Sequence, residues 1–260
     1  MLSLKSSLNY QTLRSVDFLP QFQIFHNLKE DNDDDFDDFD STVLELSAIE
    51  ENIKFILTSL RADSGVTSII TKAMLYSLMC NKTQVDKDLA NLRQSNKIMR
   101  FPFRSSSPDY VMLFTDYVTL LKKQLLKYHI ASVKVIEALK KQCDVIYFSK
   151  VDLKGKLCLS DDAIKSLTHD KFLLLNADMT YEFSVPCSGN YVELLSQGKA
   201  RILNVLQNRP SNEILEQDLL EMKLKKCALG IKFLLYDLIG NGQVKSVKCG
   251  MGNLIRLIKR

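Results

Sequence analysis

Two Gly-x-Gly pairs, Gly240/Gly242 and Gly250/Gly252, stand among lysines in the closing stretch IGNGQVKSVKCGMGNLIRLIKR. Glycines at this spacing let a backbone close around a nucleotide phosphate when a following helix turns its N-terminal amides toward it. No such helix follows here. The other reading is a helix stop at Gly240 and Gly242, then a hairpin turn at Gly250 and Gly252. Phosphoryl-transfer chemistry lacks its remaining parts: there is no G-x-x-x-x-G-K-[ST] loop, no H-R-D and no D-F-G. His169-Asp170 has the residue types of a base and its orienting carboxylate, but it falls at a predicted helix end, where histidine complements the dipole. The six cysteines contain no C-x-x-C pair, and His26, His129 and His169 lie far apart. This spacing suits neither zinc nor a nucleophile signature. The sequence therefore offers no catalytic residue, no metal ligand set and no cofactor loop.

What remains is positive charge. The chain carries a net +4, but residues 1–40 hold three basic against nine acidic groups, a balance of −6, so the remainder stands at +10. Residues 199–260 alone hold twelve basic and five acidic groups. A basic C-terminal end suits a polyanion, although a moderately basic surface also occurs without one. Lys223, Lys225 and Lys226 cluster in EMKLKKCALG. They read either as a solvated helix C-terminus or as phosphate contacts. Lys199 and Arg201 lie upstream, and Lys245, Lys248 and Arg256 lie on the predicted hairpin. In QVKSVK, Gln243, Lys245 and Val247 share one face of a strand and Val244, Ser246 and Lys248 the other. Few of these residues suit bidentate base readout, so largely sequence-independent phosphate binding is expected.

The elements that must position these residues follow from periodicity. KEDNDDDFDDFD (29–40) is a low-complexity acidic run and reads as disordered. It is a solubilising tail, an interaction peptide anchored by Phe36 and Phe39, or a mimic of DNA that shields the basic end. STVLELSAIEENIKFILTSLR has a helical apolar stripe, with Ser41 or Thr42 as cap. ITKAMLYSLM is a second helix. KTQVDKDLANLRQSNK is a third, with Thr83 as N-cap and Asp86 completing a capping box. Strand-like KIMRFPF and DYVMLFT flank the turn RSSSP. This order is that of a winged helix. In it the third helix, with Lys87 and Arg93 flanked by Lys82, Lys97, Arg100 and Arg104, is either a recognition helix or, given Asp86 and Asp88, a face buried on another protein. The order recurs more loosely. A long amphipathic helical stretch, DYVTLLKKQLLKYHIASVKVIEALKKQC, precedes a capped short helix, SDDAIKSLTHD, and two strands around NADMT. A third cycle opens with GNYVELLSQGKARILNVLQNR. The fold class expected is α+β, mostly helical, with three tandem winged-helix domains and small antiparallel hairpin wings. Their spans are 42–118, 119–187 and 188–260, after an acidic tail over 1–41. No apolar run approaches the length of a membrane span and the N-terminus lacks the core of a signal peptide, so no membrane partner is expected. Scattered thiols fit the cytosol or nucleus.

AMLYSLMCNKTQVDKDLANLRQSNKI, FTDY, VPCSGNYVELLSQGKARIL and above all YDLIGNGQVKSVKCGMGNLIRL resemble the winged-helix repair factor family, earlier named serine/threonine-protein kinase 19. The resemblance runs from about residue 42 to 260. It implies three winged helices, duplex DNA binding and a nuclear role in transcription-coupled nucleotide excision repair. In that role the protein bridges stalled RNA polymerase II with the Cockayne-syndrome repair complex to the helicase subunit of the general transcription factor that opens DNA. A homodimer on DNA stays open. Relatives carry a basic N-terminal tail where this chain is acidic. Anchored on Val185-Pro186 and Gly198, two expected basic contacts are Glu193 and Gln207, whereas Lys223, Lys225 and Lys226 retain the third.

Overall fold

The computed structural model describes residues 38–79, 81–101, 109–130, 132–141, 147–186, 188–225 and 227–258, with the backbone alone at 38–47 and 63. The compact unit is Phe39–Arg260. Helix–strand–helix–helix–strand–strand occurs three times along it. The first set is α1 (Asp38–Thr58), β1 (Ile70–Thr71), α2 (Lys72–Leu78), α3 (Lys82–Gln94), β2 (Ile98–Phe101) and β3 (Tyr110–Leu113). After α4 (Phe114–Lys127) comes the second: α5 (Ser132–Lys141), β4 (Tyr147–Phe148), α6 (Lys150–Gly155), α7 (Asp161–His169), β5 (Leu173–Leu175) and β6 (Tyr181–Phe183). The third is α8 (Ser188–Gln207), β7 (Glu213–Leu215), α9 (Glu216–Glu221), α10 (Ile231–Gly240), β8 (Val244–Cys249) and β9 (Gly252–Leu257). Each set closes an antiparallel three-stranded sheet in which the last strand lies in the middle: β1-β3-β2, β4-β6-β5 and β7-β9-β8. The class is α+β and mostly helical.

The reasons are local. Ile49, Ile53 and Ile56 form the α1 stripe and are fully buried. The helix already begins at Asp38, upstream of the expected Ser41 or Thr42 cap and inside the expected tail, whose first 37 residues lie outside the described ones. Asn81, not Thr83, caps α3: its side chain accepts from the Gln84 amide at 3.1 Å. Asp86 instead accepts from the Tyr76 hydroxyl at 2.7 Å and pairs with Lys72 at 3.3 Å. The expected long helix over 116–143 is two helices. His129 adopts φ 54°, its amide donates to Leu126 and the Ile130 amide reaches back to Leu125, a Schellman stop without glycine. α3, α7 and α10 end the same way, through Asn96 (φ 58°), Lys171 (φ 63°) and Gly242 (φ 65°). The third helix of every set thus turns into its hairpin by one device. α4 runs across position 118, where a domain boundary is expected.

Contacts between sets involve α10 most. It packs on α2 of the first set as well as on α8 of its own. Gly240 is still helical there, and a Cβ on it would lie 1.6 Å from the Ala73 carbonyl oxygen. Its glycine is required by close helix approach, not by the left-handed geometry expected of it; only Gly242 takes that conformation. Asp237, fully buried on α10, accepts from the Thr71 hydroxyl at 2.5 Å, the Lys199 ammonium at 2.6 Å and the Asn241 amide at 2.9 Å. One carboxylate therefore joins β1, α8 and α10. Edge-to-face rings extend the seam: Tyr110–Tyr191 at 5.6 Å and Tyr191–Phe233 at 6.4 Å.

Candidate nucleic-acid interface

The segment between α9 and α10 alternates. Met222 and Leu224 are half-buried against the core, while Lys223 and Lys225 stand exposed between them. An extended backbone at Met222 (φ −67°, ψ 126°) produces this alternation, since successive side chains then point to opposite sides. Lys226 lies outside the described residues. Cys227 anchors the far end of the segment, its Sγ 3.9 Å from the Gly198 carbonyl of α8. Burial pushes the Cys227 thiol up, and the positive field of Arg201 opposes it. Arg201 is exposed on α8, the helix whose Gly198 carbonyl meets Cys227.

β8 and β9 form the hairpin expected of the C-terminal stretch. Cys249 pairs with Gly252 across the two-residue turn Gly250-Met251, with Gly252 at φ 121°. Met251 is 76% exposed at the tip. Val244 and Ile255 are buried on the inner face. Lys245 and Lys248 are exposed on opposite faces, as the alternation requires.

Arg201, Lys223, Lys225, Lys245 and Lys248 have no ion-pair partner among the described residues. Two expected contacts are differently employed. The Lys199 ammonium is held by buried Asp237 and is only 21% exposed, so it belongs to the core seam. Arg256 donates from Nε to Glu213 Oε2 at 2.6 Å, across from Lys245 on the outer face of the sheet. Both are engaged because a carboxylate on a neighbouring element lies within reach, which linear spacing does not show.

The helices that precede the hairpins differ in access. In α10, Phe233, Leu234, Leu235, Asp237, Leu238 and Gly240 are buried, so this helix presents little surface to a groove. α3 exposes Lys82, Lys87, Asn91 and Gln94 and buries Val85, Asp88, Leu89 and Leu92. Its neighbouring cations are largely committed: Lys97 to Glu50 at 3.5 Å, Arg100 to Asp109 at 2.9 Å, and Lys82 over the Tyr76 ring at 5.3 Å. Arg104 lies outside the described residues. Glu193 and Gln207 flank Arg201 on α8, both exposed, and Glu193 accepts from Gln197 at 2.8 Å. His169 ends α7 with its ring exposed, and its Nδ1 lies 3.0 Å from Asp170 Oδ1. Asp170 also takes the Tyr128 hydroxyl at 2.6 Å, tying the end of α4 to the end of α7.

Residues 46–257 match a family model described as inactive serine-threonine protein kinase 19. The curated relatives include three proteins named Winged helix repair factor 1. The Homo sapiens protein is 22% identical over 75% of this chain and 78% of its own length. The Xenopus laevis protein is 25% identical over 73% of this chain and 74% of its own. The Dictyostelium discoideum protein is 34% identical over 99 residues, 38% of this chain and 25% of its own length. The chain spans that last relative only in part. With the family matched over most of its length, on a fold of small three-stranded sheets closed by hairpins, the chain belongs to the winged-helix repair factor family, whose model carries the description inactive serine-threonine protein kinase 19.

Proposed function

We propose that this protein is a non-catalytic DNA-binding scaffold built of three tandem winged helices. It binds duplex DNA through phosphates at Arg201, Lys223 and Lys225 and along the β8–β9 wing at Lys245 and Lys248. The observation that carries this reading is the distribution of unpaired charge. Lys72, Lys97, Lys150, Lys154, Lys156, Lys199 and Arg256 all have carboxylate partners within 3.6 Å, whereas these five cations have none among the described residues. With α10 buried, wing and loop replace a groove-reading helix, and sequence preference is weak. The resemblance and the relatives' repair names extend the proposal to a nuclear role in transcription-coupled nucleotide excision repair. There the protein links stalled RNA polymerase II and the Cockayne-syndrome repair complex to the helicase subunit of the DNA-opening transcription factor.

A salt titration of affinity for a short duplex tests the reading. Five phosphate contacts give a slope of log K against log salt of at least about −4, and Lys223→Gln with Lys225→Gln lowers it by about 2. Affinity that ignores salt, or a slope untouched by the pair, refutes it.

A second reading, a scaffold that docks proteins alone, is favoured by the second set. There Val151 is 78%, Met179 70%, Tyr147 54% and Leu175 47% exposed. Capture of repair partners by protein with no DNA affinity would establish it.

A further inference from the structure

The family reading places positive charge in the last third of the chain, yet α4 and α5 hold as dense a concentration. Residues 122–141 contain Lys122, Lys123, Lys127, Lys134, Lys140 and Lys141 against one acid, Glu137, a net +5. Apolar periodicity hides this in the sequence, because the same helices bury Leu121, Leu125, Val135, Ile136 and Leu139. The opposite faces are where the charge lies. Lys122 and Lys123 are exposed on α4; Lys134 and Lys141 are exposed on α5, two turns apart on one side. None of these four has an ion-pair partner among the described residues. Lys127, by contrast, reaches Asp170 at 3.4 Å, and Lys140 lies 6.0 Å from the Phe114 ring centroid. α4 and α5 pack on each other, so both groups stand on one pair of helices.

We infer that the outer faces of α4 and α5 form a second contact surface for the phosphate backbone of duplex DNA, extending the footprint of the C-terminal loop and wing. The inference rests on the DNA-binding reading above. Two observations select a nucleic acid over a protein. Protein interfaces are depleted of lysine, which is costly to desolvate, whereas phosphate contacts leave it at the edge of solvent. The exposed apolar side chains here, Leu126 and Val133, are too few to floor a protein groove. Along α5, Lys134 to Lys141 covers about 10 Å of helix axis, about three base-pair steps of duplex.

The test uses the full chain and a short duplex in a salt titration of three proteins. One is unaltered. The second carries Lys122→Gln, Lys123→Gln, Lys134→Gln and Lys141→Gln. The third carries Lys97→Gln, Lys150→Gln, Lys156→Gln and Lys165→Gln, which removes the same net charge from lysines already paired. The second is expected to lose at least about tenfold in affinity and to flatten the slope by about 3 to 4, with the third close to the unaltered protein. Unaltered protein that binds with a slope near −8 supports nine contacts in place of five. If it binds and the second variant matches the third, the α4–α5 surface is overturned while the loop and wing stand. If the unaltered protein does not bind at all, the DNA reading itself fails and this surface with it.

Discussion

Asp237 provides the sharpest check of how the fold is held. Its carboxylate is fully buried and takes three donors, from Thr71 on β1, Lys199 on α8 and Asn241 just past α10. Asp237→Leu strands the Lys199 ammonium, and removing one partner of a buried pair costs about 3–5 kcal/mol. Lys199 keeps 21% of its side chain in solvent, so its ammonium can recover some water and the lower end, about 3 kcal/mol, applies. Against a net stability of about 5–15 kcal/mol that is a large fraction, equivalent to about 10 °C in Tm at this chain length. Lys199→Met costs a similar amount because it leaves the buried carboxylate without its counter-charge. The double variant leaves only the Thr71 hydroxyl short of a partner, about 1–2 kcal/mol, since the exposed Asn241 amide keeps its bond to the residue 237 carbonyl. Urea unfolding followed by circular dichroism therefore gives a coupling energy of at least about 2 kcal/mol. Strict additivity, or a loss below about 1 kcal/mol for Asp237→Leu, refutes the buried network. Lys199→Met also separates structure from recognition: its DNA salt slope stays that of the parent, since its ammonium faces Asp237 and not a phosphate.

Three further outcomes follow from single observations. Gly240→Ala places a Cβ 1.6 Å from the Ala73 carbonyl oxygen, which must force α10 from α2 and cost about 3 kcal/mol or more. Gly242→Ala meets no atom but must hold φ 65°, costing about 1–2 kcal/mol; urea midpoints in the reverse order contradict both. Burial pushes Tyr110 up to about 12 from its ordinary 10, with the nearby Asp237 charge adding to it, and burial also raises Tyr117 and Tyr191. The folded state keeps protons that the unfolded chain releases above pH 10, so stability is full below that value and falls above it, by about 1.4 kcal/mol per pH unit for each tyrosine. The chain has no Trp, so tyrosinate absorbance follows the rings without interference; ionisation of all of them near pH 10 with the fold intact contradicts their burial.

Long periodic segments were legible in the sequence because burial imposes the period directly. The stripe through Ile49, Ile53 and Ile56, the Ser160 cap of α7 and the NADMT turn all appear where pattern and cap chemistry put them. The short elements outside the hairpins were not legible. β1, β4 and β7 each contribute two or three residues to a sheet, too few for alternation to register, and α6 shows only as a Ser149–Asp152 capping box. The break at His129 escaped for a different reason: a histidine in the left-handed region carries no sequence mark of the kind glycine leaves. In the interface, charge was legible and pairing was not. Lys223 and Lys225 stand out because Met222 and Leu224 alternate with them. Lys199 and Arg256 look the same in sequence, yet Asp237 and Glu213, both 38 or more residues away, engage them.

The burial of α10 has a consequence for how such a protein can recognise anything. A helix before a wing ordinarily offers its outer face to a groove. Here that helix is the middle of a seam, pressed on α2 closely enough to require Gly240 and locked to β1 and α8 through Asp237. The arrangement exchanges a reading surface for rigidity. The exposed lysines without an ion-pair partner among the described residues include those on an extended loop, on a hairpin and on the outer faces of α4 and α5. Such groups respond to phosphate spacing and ionic strength, not to base identity. A duplex of changed sequence and equal length should therefore bind within about twofold, while a change from 50 to 200 mM salt moves affinity by orders of magnitude. Competition among unrelated duplexes at fixed salt measures this, and a preference above about a hundredfold for one sequence would require a base-reading helix that α10 cannot supply.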